Sequence, residues 1–234
     1  MVDKLKKIVL LSGAGMSAES GINTFRDADG LWEGHDVMSV ASIEGWYQNQ
    51  SLVLDFYNQR RKQLTEVQPN AGHYALAKAQ TLFDIAIITQ NVDDLHERAG
   101  SENVIHLHGE LKKAQSTLYP EFVCPWDGDI QLGDVCPQGA QLRPYIVWFG
   151  EDVPQINHAV SQVTCADTII VVGTSMQVYP AANLVSYAPE QADVYYIDPK
   201  PQLNEALRQR DKLTVLEQTA AIGIPALLTK LAEA

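Results

Sequence analysis

Polar side chains suited to binding follow an apolar stretch in the middle of the chain. Gln90, Asn91 and Asp93 come directly after Ile85 to Thr89, which is β-branched and predicted to be a buried strand. An amide and a carboxylate at the carboxyl end of such a strand can hold a carboxamide and ribose hydroxyls. Asp93 or Asp94 could instead cap the helix expected to begin there, and both roles can hold, with Asp94 capping.

Two histidines, His106 and His108, flank Leu107 after a further short predicted strand. If the strand continued, both would share a face and a metal pair would be conceivable, but no Cys, Asp or Glu supplies obvious further ligands. Gly109 leaves room beside the imidazole of His108. An imidazole with a pKa near neutrality can accept a hydroxyl proton at physiological pH.

A glycine-rich turn follows the first apolar run, Ile8 to Leu11. Gly13 and Gly15 permit a close backbone approach to a ligand, and Met16 to Ser20 could open a helix with free N–H groups, which favour anions. The turn loosely fits the dinucleotide fingerprint G-x-G-x-x-G/A, which an ordinary strand-to-helix turn also fits. A second glycine and hydroxyl turn, Gly173 to Ser175, follows another predicted strand and suits a ribose or phosphate.

The segment after the first turn differs from a dehydrogenase. Gly21 to Asp27 breaks the helix early and is too polar for a second strand. Phe25 and Arg26 on this segment are typical of a lid that covers a bound cofactor, although a plain surface connection is the alternative.

Five motifs, in this order, resemble those of the sirtuins, the NAD-dependent protein lysine deacylases: GAGMSAESGINTFRD, TQNVDDLHERAG, HLHGEL, VWFGE and GTS. The similarity runs from Lys6 to about Pro225 and implies that NAD is a co-substrate. It implies that His108 is the general base and that Asn91 positions the water or nicotinamide. The implied NAD contacts are Gly13, Ala14, Gly15, Ser17, Gly21, Ile22, Phe25, Arg26, Gln90, Asn91, Asp93, Gly173, Thr174, Ser175, Asp198 and Ala220. The family often has Asn where this chain has Asp198.

The substrate side involves an apolar stretch and a helix. Tyr145 to Gly150 is predicted to be a strand that resembles the family's peptide-binding strand, although it could simply be core. The side chains implied to line the acyl channel are Val147, Trp148 and Phe149, followed by Gly150. Tyr57 and Arg60 lie three apart on a predicted helix and so share a face.

The spacing of this pair resembles the Tyr-x-x-Arg of the subgroup that removes acidic acyl groups. The alternative places Arg60 with Arg61 and Lys62 on a solvated face and Tyr57 in the core.

The resemblance implies a reaction in which the acyl oxygen attacks the ribose C1′ as nicotinamide leaves. His108 would then take a ribose hydroxyl proton, and free lysine and O-acyl-ADP-ribose would result. An NAD hydrolase or mono-ADP-ribosyltransferase, and a noncatalytic NAD-sensing module, are the alternatives. His108 and the Trp148-Phe149 pair argue against both.

We expect an α/β fold, with a Rossmann-like parallel sheet built from 1–30, 70–111 and 145–234. A helical insert would span 31–69 and a small insert 112–144. Most sirtuins hold zinc there with two Cys-x-x-Cys pairs. Here the first expected pair begins with Ser116 instead of a cysteine, and the second, Cys136 to Gly139, lacks its second cysteine. We therefore expect no metal, with packing by residues that include Tyr119, Phe122, Trp126 and Ile130.

Composition excludes several classes of protein. The chain has 234 residues, 46% of them hydrophobic and 20% charged, which is ordinary for a globular enzyme. No apolar run approaches the roughly 20 residues that span a bilayer, and three widely spaced cysteines suit a reducing compartment. The net charge of −12 disfavours nucleic acid and suits basic partners such as lysine-rich protein segments, or it serves solubility alone. The resemblance implies that the partners are acyl-lysine proteins or peptides. A cytoplasmic monomer without membrane contact is expected.

Overall fold

The structure, a computed structural model, describes residues 5–23 and 31–233. The strands are β1 Lys7–Ser12, β2 Leu31–Trp32, β3 His35–Asp36, β4 Asp84–Thr89, β5 Val104–His106, β6 Gly109–Ser116, β7 Val123–Pro125, β8 Leu142–Ile146, β9 Thr168–Val172, β10 Asp193–Ile197 and β11 Leu213–Leu216. The α-helices are α1 Val37–Val40, α2 Ile43–Gln48, α3 Gln50–Gln63, α4 Ala71–Ala79, α5 Leu95–Arg98, α6 Ile156–Val163, α7 Glu205–Arg208 and α8 Ala220–Ala232.

Six parallel strands form the central sheet, in the order β11-β10-β9-β1-β4-β5. The strand β1 lies between β9 and β4. The strands β4 and β5 follow on one side of β1 and the strands β9 to β11 on the other, so the direction in which strands are added to the sheet reverses at β1. The crevice at the carboxyl ends beside such a reversal is where open α/β sheets bind ligands. The predicted Rossmann-like sheet is confirmed.

Helices cover both faces of the sheet because the side chains of its central strand alternate between two apolar layers. Ile8 and Leu10 pack in a cluster with Leu76 of α4 and Ile224 of α8. Val9 and Leu11 face the opposite layer, where α6 contributes its buried side chains. Burial on both faces explains why the strand reads as an uninterrupted apolar run.

The helical insert consists of the β2–β3 hairpin and helices α1 to α3. Trp32 packs edge-on against Phe56 and Tyr57 of α3, at ring centroid distances of 4.8 and 6.1 Å. Asn49 begins α3, since its side chain accepts a hydrogen bond from the N–H of Leu52. One apolar cluster joins this helix to the small insert.

The small insert is an antiparallel sheet in the order β7-β6-β8. Its strand β8 ends at Ile146, so the predicted strand from Tyr145 to Gly150 is wrong from Val147 onward. Gly150 has a φ of +92°, and Glu151 bonds back to the carbonyl of Trp148, which turns the chain away from the sheet. Residues 147–150 therefore form a loop.

The packing predicted for this insert is only partly correct. Ile130 is fully buried, whereas Phe122 and Trp126 are partly buried. Tyr119 is 37% exposed, contrary to expectation, because its N–H bonds Ser116 in a turn at the surface.

The helix expected from Met16 to Ser20 is instead a pair of short 3₁₀ turns, Ala14–Met16 and Ala18–Ser20. Gly21 ends them with a φ of +98°. Among the described residues, no helix combines the length and apolar character that crossing a membrane requires.

Candidate active site

Three polar residues form a buried hydrogen-bonded chain where β1 and β4 end. Asn91 donates from Nδ2 to Ser17 Oγ at 3.1 Å, and Ser17 Oγ donates to Asp93 Oδ2 at 2.9 Å. Asn91 and Asp93 are only 8% and 6% exposed. These hydrogen bonds orient one amide and one carboxylate at the reversal point of the sheet, as binding of a carboxamide and sugar hydroxyls would require.

The side chain that caps α5 belongs to Asp93, although Asp94 holds the expected N-cap position. Asp94 occupies the first cap position of α5 but makes no capping hydrogen bond with its side chain. Oδ1 of Asp93 instead accepts from the N–H of Leu95 at 3.1 Å. Burial raises the pKa of the Asp93 carboxyl, although the bonds from Leu95 and Ser17 favour the charged form.

The imidazole of His108 is oriented by a backbone carbonyl. A carbonyl can only accept, so the 3.2 Å contact between its Nδ1 and the carbonyl oxygen of Gln90 places the proton on Nδ1. The Nε2 lone pair is then free to accept a proton. Burial lowers the pKa of His108, and the bond to Gln90 offsets only part of that effect.

A glycine is required at position 109, next to the His108 imidazole. Its φ is +83°, and a Cβ there would lie 2.1 Å from the carbonyl oxygen of Tyr145. The strand β6 begins at Gly109 and pairs with β8, so the glycine allows the small sheet to start directly after the imidazole.

His106 has partners different from those of His108, because β5 ends at His106. Its Nδ1 lies 3.0 Å from the carbonyl oxygen of Asn91, and its Nε2 lies 2.7 Å from Glu97 Oε1. Burial opposes its charge, but Glu97 outweighs burial and the pKa of His106 is raised. The two histidines therefore do not form the metal pair that alternation would allow.

The two glycine turns are interlocked. The N–H groups of Gly13 and Gly15 donate to the carbonyls of Val172 and Gly173, at 3.1 and 2.8 Å. A Cβ on Gly15 would lie 2.6 Å from Gly173 Cα. These two N–H groups hold the two turns together and are therefore already paired.

Further side chains connect the ends of β4 and β9. Gln90 Nε2 donates to Thr174 Oγ1 at 2.9 Å, and the half-buried Ser175 follows. Asp198, at the end of β10, is 2% exposed and accepts from the N–H of Lys200. Ala220 is buried at the first position of α8.

The remaining predicted contacts lie on the first turn. Ala14 and Ile22 are half-buried there, and Gly21 is exposed. Phe25 and Arg26 lie outside the described residues.

The loop of residues 147–150 sits between the insert helices and His108. The N–H of Val147 donates to the His108 carbonyl and that of Phe149 to the Ala41 carbonyl, both at 2.9 Å. Trp148 is 2% exposed, whereas Phe149 is 44% exposed.

An ion pair that sequence reasoning missed holds this loop in place. Both Nη atoms of Arg143 contact Glu151, at 2.7 and 2.8 Å, and Glu151 also accepts from the Trp148 N–H at 2.8 Å. The guanidinium stacks on the Trp148 ring at 3.6 Å. The glutamate of the VWFGE motif was the available signal, but its partner in β8 could not be identified from spacing.

Tyr57 contacts the same tryptophan, and Arg60 lies one turn further along α3. The Tyr57 hydroxyl is buried and accepts from Trp148 Nε1 at 3.0 Å, which leaves its own hydrogen available for another acceptor. The Arg60 side chain is 15% exposed, so the solvated alternative does not describe it. That alternative also fails for Arg61, which is 2% exposed and donates to the Leu111 carbonyl.

These residues suit a dinucleotide, since glycine turns, amides, hydroxyls and a carboxylate converge at the reversal of the sheet. A neutral imidazole beside them adds a proton acceptor. Fold and site together define a nucleotide-dependent α/β enzyme. A profile of the Sir2 family matches residues 13–180, and the chain belongs to this family.

The relatives agree with this class. A Helicobacter pylori protein named NAD-dependent protein deacylase is 54% identical over 229 residues, covering 98% of this chain and 99% of that protein. The structure of a Sir2 homolog with NAD matches with TM-score 0.86 and 35% identity, covering 98% of this chain and 90% of that one. A Sir2 mutant with a p53 peptide and NAD matches with TM-score 0.76 and 25% identity, covering 99% and 96%. The predicted family and co-substrate are confirmed.

Proposed function

The chain is an NAD-dependent protein deacylase, and we propose that it acts on acyl-lysine and prefers acidic acyl groups, succinyl and malonyl, over acetyl. Arg60 supports this preference most directly. Its Nε is buried and finds no hydrogen-bond acceptor among the described residues. A guanidinium held away from water with an unpaired donor is suited to a carboxylate ligand.

The proposed roles follow from the contacts of each residue. NAD would supply the ribose carbon that receives the acyl oxygen and the hydroxyl that is deprotonated. His108 accepts that proton on Nε2, because its Nδ1 proton is bound to Gln90. Asn91 is held by Ser17 and positions the water or nicotinamide.

The extended peptide would lie along residues 147–150, where Phe149 remains accessible. Trp148, fixed by Arg143 and Glu151, forms one wall of the acyl channel and brings its indole N–H to the Tyr57 hydroxyl. The acyl carboxylate would then reach Tyr57 and Arg60.

The reaction products separate this function from its rivals. Incubation with NAD and an acyl-lysine peptide is expected to yield nicotinamide, free lysine peptide and O-acyl-ADP-ribose, detected by mass. Release of nicotinamide without deacylated peptide would instead indicate an NAD hydrolase or mono-ADP-ribosyltransferase. No turnover of NAD would favour a sensing module.

The acyl preference is tested with succinyl and acetyl versions of one peptide. Hydrogen bonds to a charged group contribute about 1.5–3 kcal/mol each, so kcat/KM should favour succinyl by roughly 10²-fold. Arg60→Met should abolish that preference. Lys62→Met removes the same charge from the exposed face of α3 and should preserve it. Equal rates in the native protein would disprove the assignment.

Cellular location and assembly state are part of the same proposal. We expect a cytoplasmic monomer whose partners are acyl-lysine proteins.

A further inference from the structure

Glu33 lies beside the proposed acyl-binding arginine. It sits in the two-residue turn between β2 and β3, where Glu33 has φ +51° and Gly34 has φ +81°. Such a turn favours Asn-Gly or Gly-Gly, because a side chain at its first position is strained by a left-handed backbone. The strained glutamate points to a role for its side chain.

The Glu33 carboxylate bridges two parts of the site. Its Oε1 accepts a hydrogen bond from Asn23 Nδ2 at 3.2 Å, and Asn23 follows the glycine turn of the proposed cofactor site. Its Oε2 lies 3.6 Å from Arg60 Nη1, within ion-pair range but beyond an ordinary hydrogen bond. The two side chains are only 18% and 15% exposed.

Arg60 is incompletely satisfied by this contact. Its guanidinium lies 5.1 Å from the centre of the Phe56 ring, and its Nε has no acceptor among the described residues. A guanidinium has five N–H donors and pairs best with a carboxylate through two of them. The long contact with Glu33 therefore leaves room for a better carboxylate.

We propose that Glu33 is a specificity-determining residue, an internal carboxylate that pairs with Arg60 when no acyl group is bound and competes with an acidic acyl group for it. This inference rests on the proposed function, in which Arg60 binds the acyl carboxylate. An entering succinyl group must displace Glu33 or share the guanidinium with it. Two carboxylates at one partly buried site repel each other, so Glu33 weakens binding of acidic acyl groups.

The test is Glu33→Gln, which keeps the side-chain shape and removes the charge. KM for the succinyl peptide should fall roughly threefold to tenfold, the size expected of a partly buried charge contact. The kcat, and KM for the acetyl peptide, should stay within about twofold, because acetyl carries no carboxylate. Glu33→Asn also removes the charge and should lower the succinyl KM in the same way. Because Asn tolerates the left-handed backbone, this second variant keeps the test valid if Glu33→Gln misfolds.

Two controls separate the inference from the proposed function. Glu66→Gln makes the same charge change at an exposed position just after α3 and should leave both peptides unaffected. Combined with Arg60→Met, Glu33→Gln should no longer change the succinyl KM.

Each outcome decides a different claim. An unchanged or raised succinyl KM in both Glu33 variants, with Arg60→Met still abolishing the preference, would show that Glu33 only orients Arg60 and would overturn the inference alone. No succinyl preference in the native protein, and no effect of Arg60→Met, would overturn the proposed function itself.

Discussion

At the scale of single residues, His108 differs from a histidine paired with a carboxylate. The Gln90 carbonyl orients its ring without favouring the charged form as strongly as a carboxylate would, and burial disfavours charge. His106 shows the opposite case, since Glu97 raises its pKa. The pKa values of the two neighbouring imidazoles are therefore shifted in opposite directions.

His108→Ala should remove most turnover while leaving NAD binding nearly intact. A positioned general base contributes about 10²–10⁴-fold to the rate, and among the described residues the imidazole bonds to the backbone carbonyl of Gln90 rather than to an NAD-binding side chain. Turnover at saturation and calorimetric titration with NAD measure the two effects separately. Loss of NAD binding with unchanged turnover would contradict the assigned role.

The lowered pKa of His108 predicts how activity depends on pH. The base must be neutral to accept a proton, so kcat/KM falls when His108 becomes protonated. Because burial lowers its pKa, the acid limb of the kcat/KM profile should lie below the ordinary imidazole value of about 6.5. A limb at or above that value would show that another group, or a charged His108, controls the reaction.

At the scale of elements, the small antiparallel sheet forms although three of the four positions at which the family resemblance implies zinc-binding cysteines hold other residues, Ser116, Tyr119 and Gly139. Ser116, at the end of β6, accepts hydrogen bonds from the turn that follows it. Cys136 is 3% exposed, packs in the same cluster as Ile130, and bonds through its N–H to the Ala140 carbonyl. Hydrogen bonds and apolar packing thus hold both of these turns.

The purified protein should contain no stoichiometric zinc, and a strong chelator should leave its melting temperature and activity unchanged. Two thiolates, Cys124 and Cys136, fall short of the four ligands a structural zinc needs. Elemental analysis measures the metal directly. About one zinc per chain would show that these cysteines have further ligands.

At the scale of the whole molecule, a buried histidine pair connects the centre of the sheet to the helices around it. His73 and His96 are 0% and 1% exposed, with ring centroids 4.8 Å apart. His96 lies 3.2 Å from Ser12 at the end of β1, and His73 accepts from the N–H of Asn70 at the start of α4. Burial lowers the pKa of both imidazoles, that of His73 to about 4.

Folding stability should therefore fall as the pH drops from about 6.5 towards 4. In that range the unfolded His73 is protonated and the folded one is not, so protons favour the unfolded chain. For His73 alone the loss is about 3 kcal/mol. Urea unfolding at several pH values measures it. Replacing His73 with Gln, which can still complete the α4 capping box, should reduce the slope.

The matched control for this experiment is His158→Gln, which changes an exposed histidine on α6. It should leave the pH dependence of unfolding as in the native protein. Equal slopes in the native and His73→Gln proteins would show that other groups dominate the acid response.

The sequence by itself determined the strands of the central sheet and the class of enzyme. Thr168–Val172 and the other apolar runs become strands because burial on both faces is a local pattern of residue types. The motifs around Gly13, Gln90 and His108 were sufficient to identify an NAD-dependent deacylase, because each motif is contiguous and their order is preserved.

Only the tertiary structure decided which distant groups meet. The loop after Ile146, the pairing of Arg143 with Glu151, the burial of Arg61 and the contact of Glu33 with Arg60 all depend on partners that belong to a different element or loop. Local periodicity reports which face of an element is apolar, but it carries no information about the side chain that approaches from another element. Charged side chains were accordingly the hardest to place, since their position follows the partner that satisfies them.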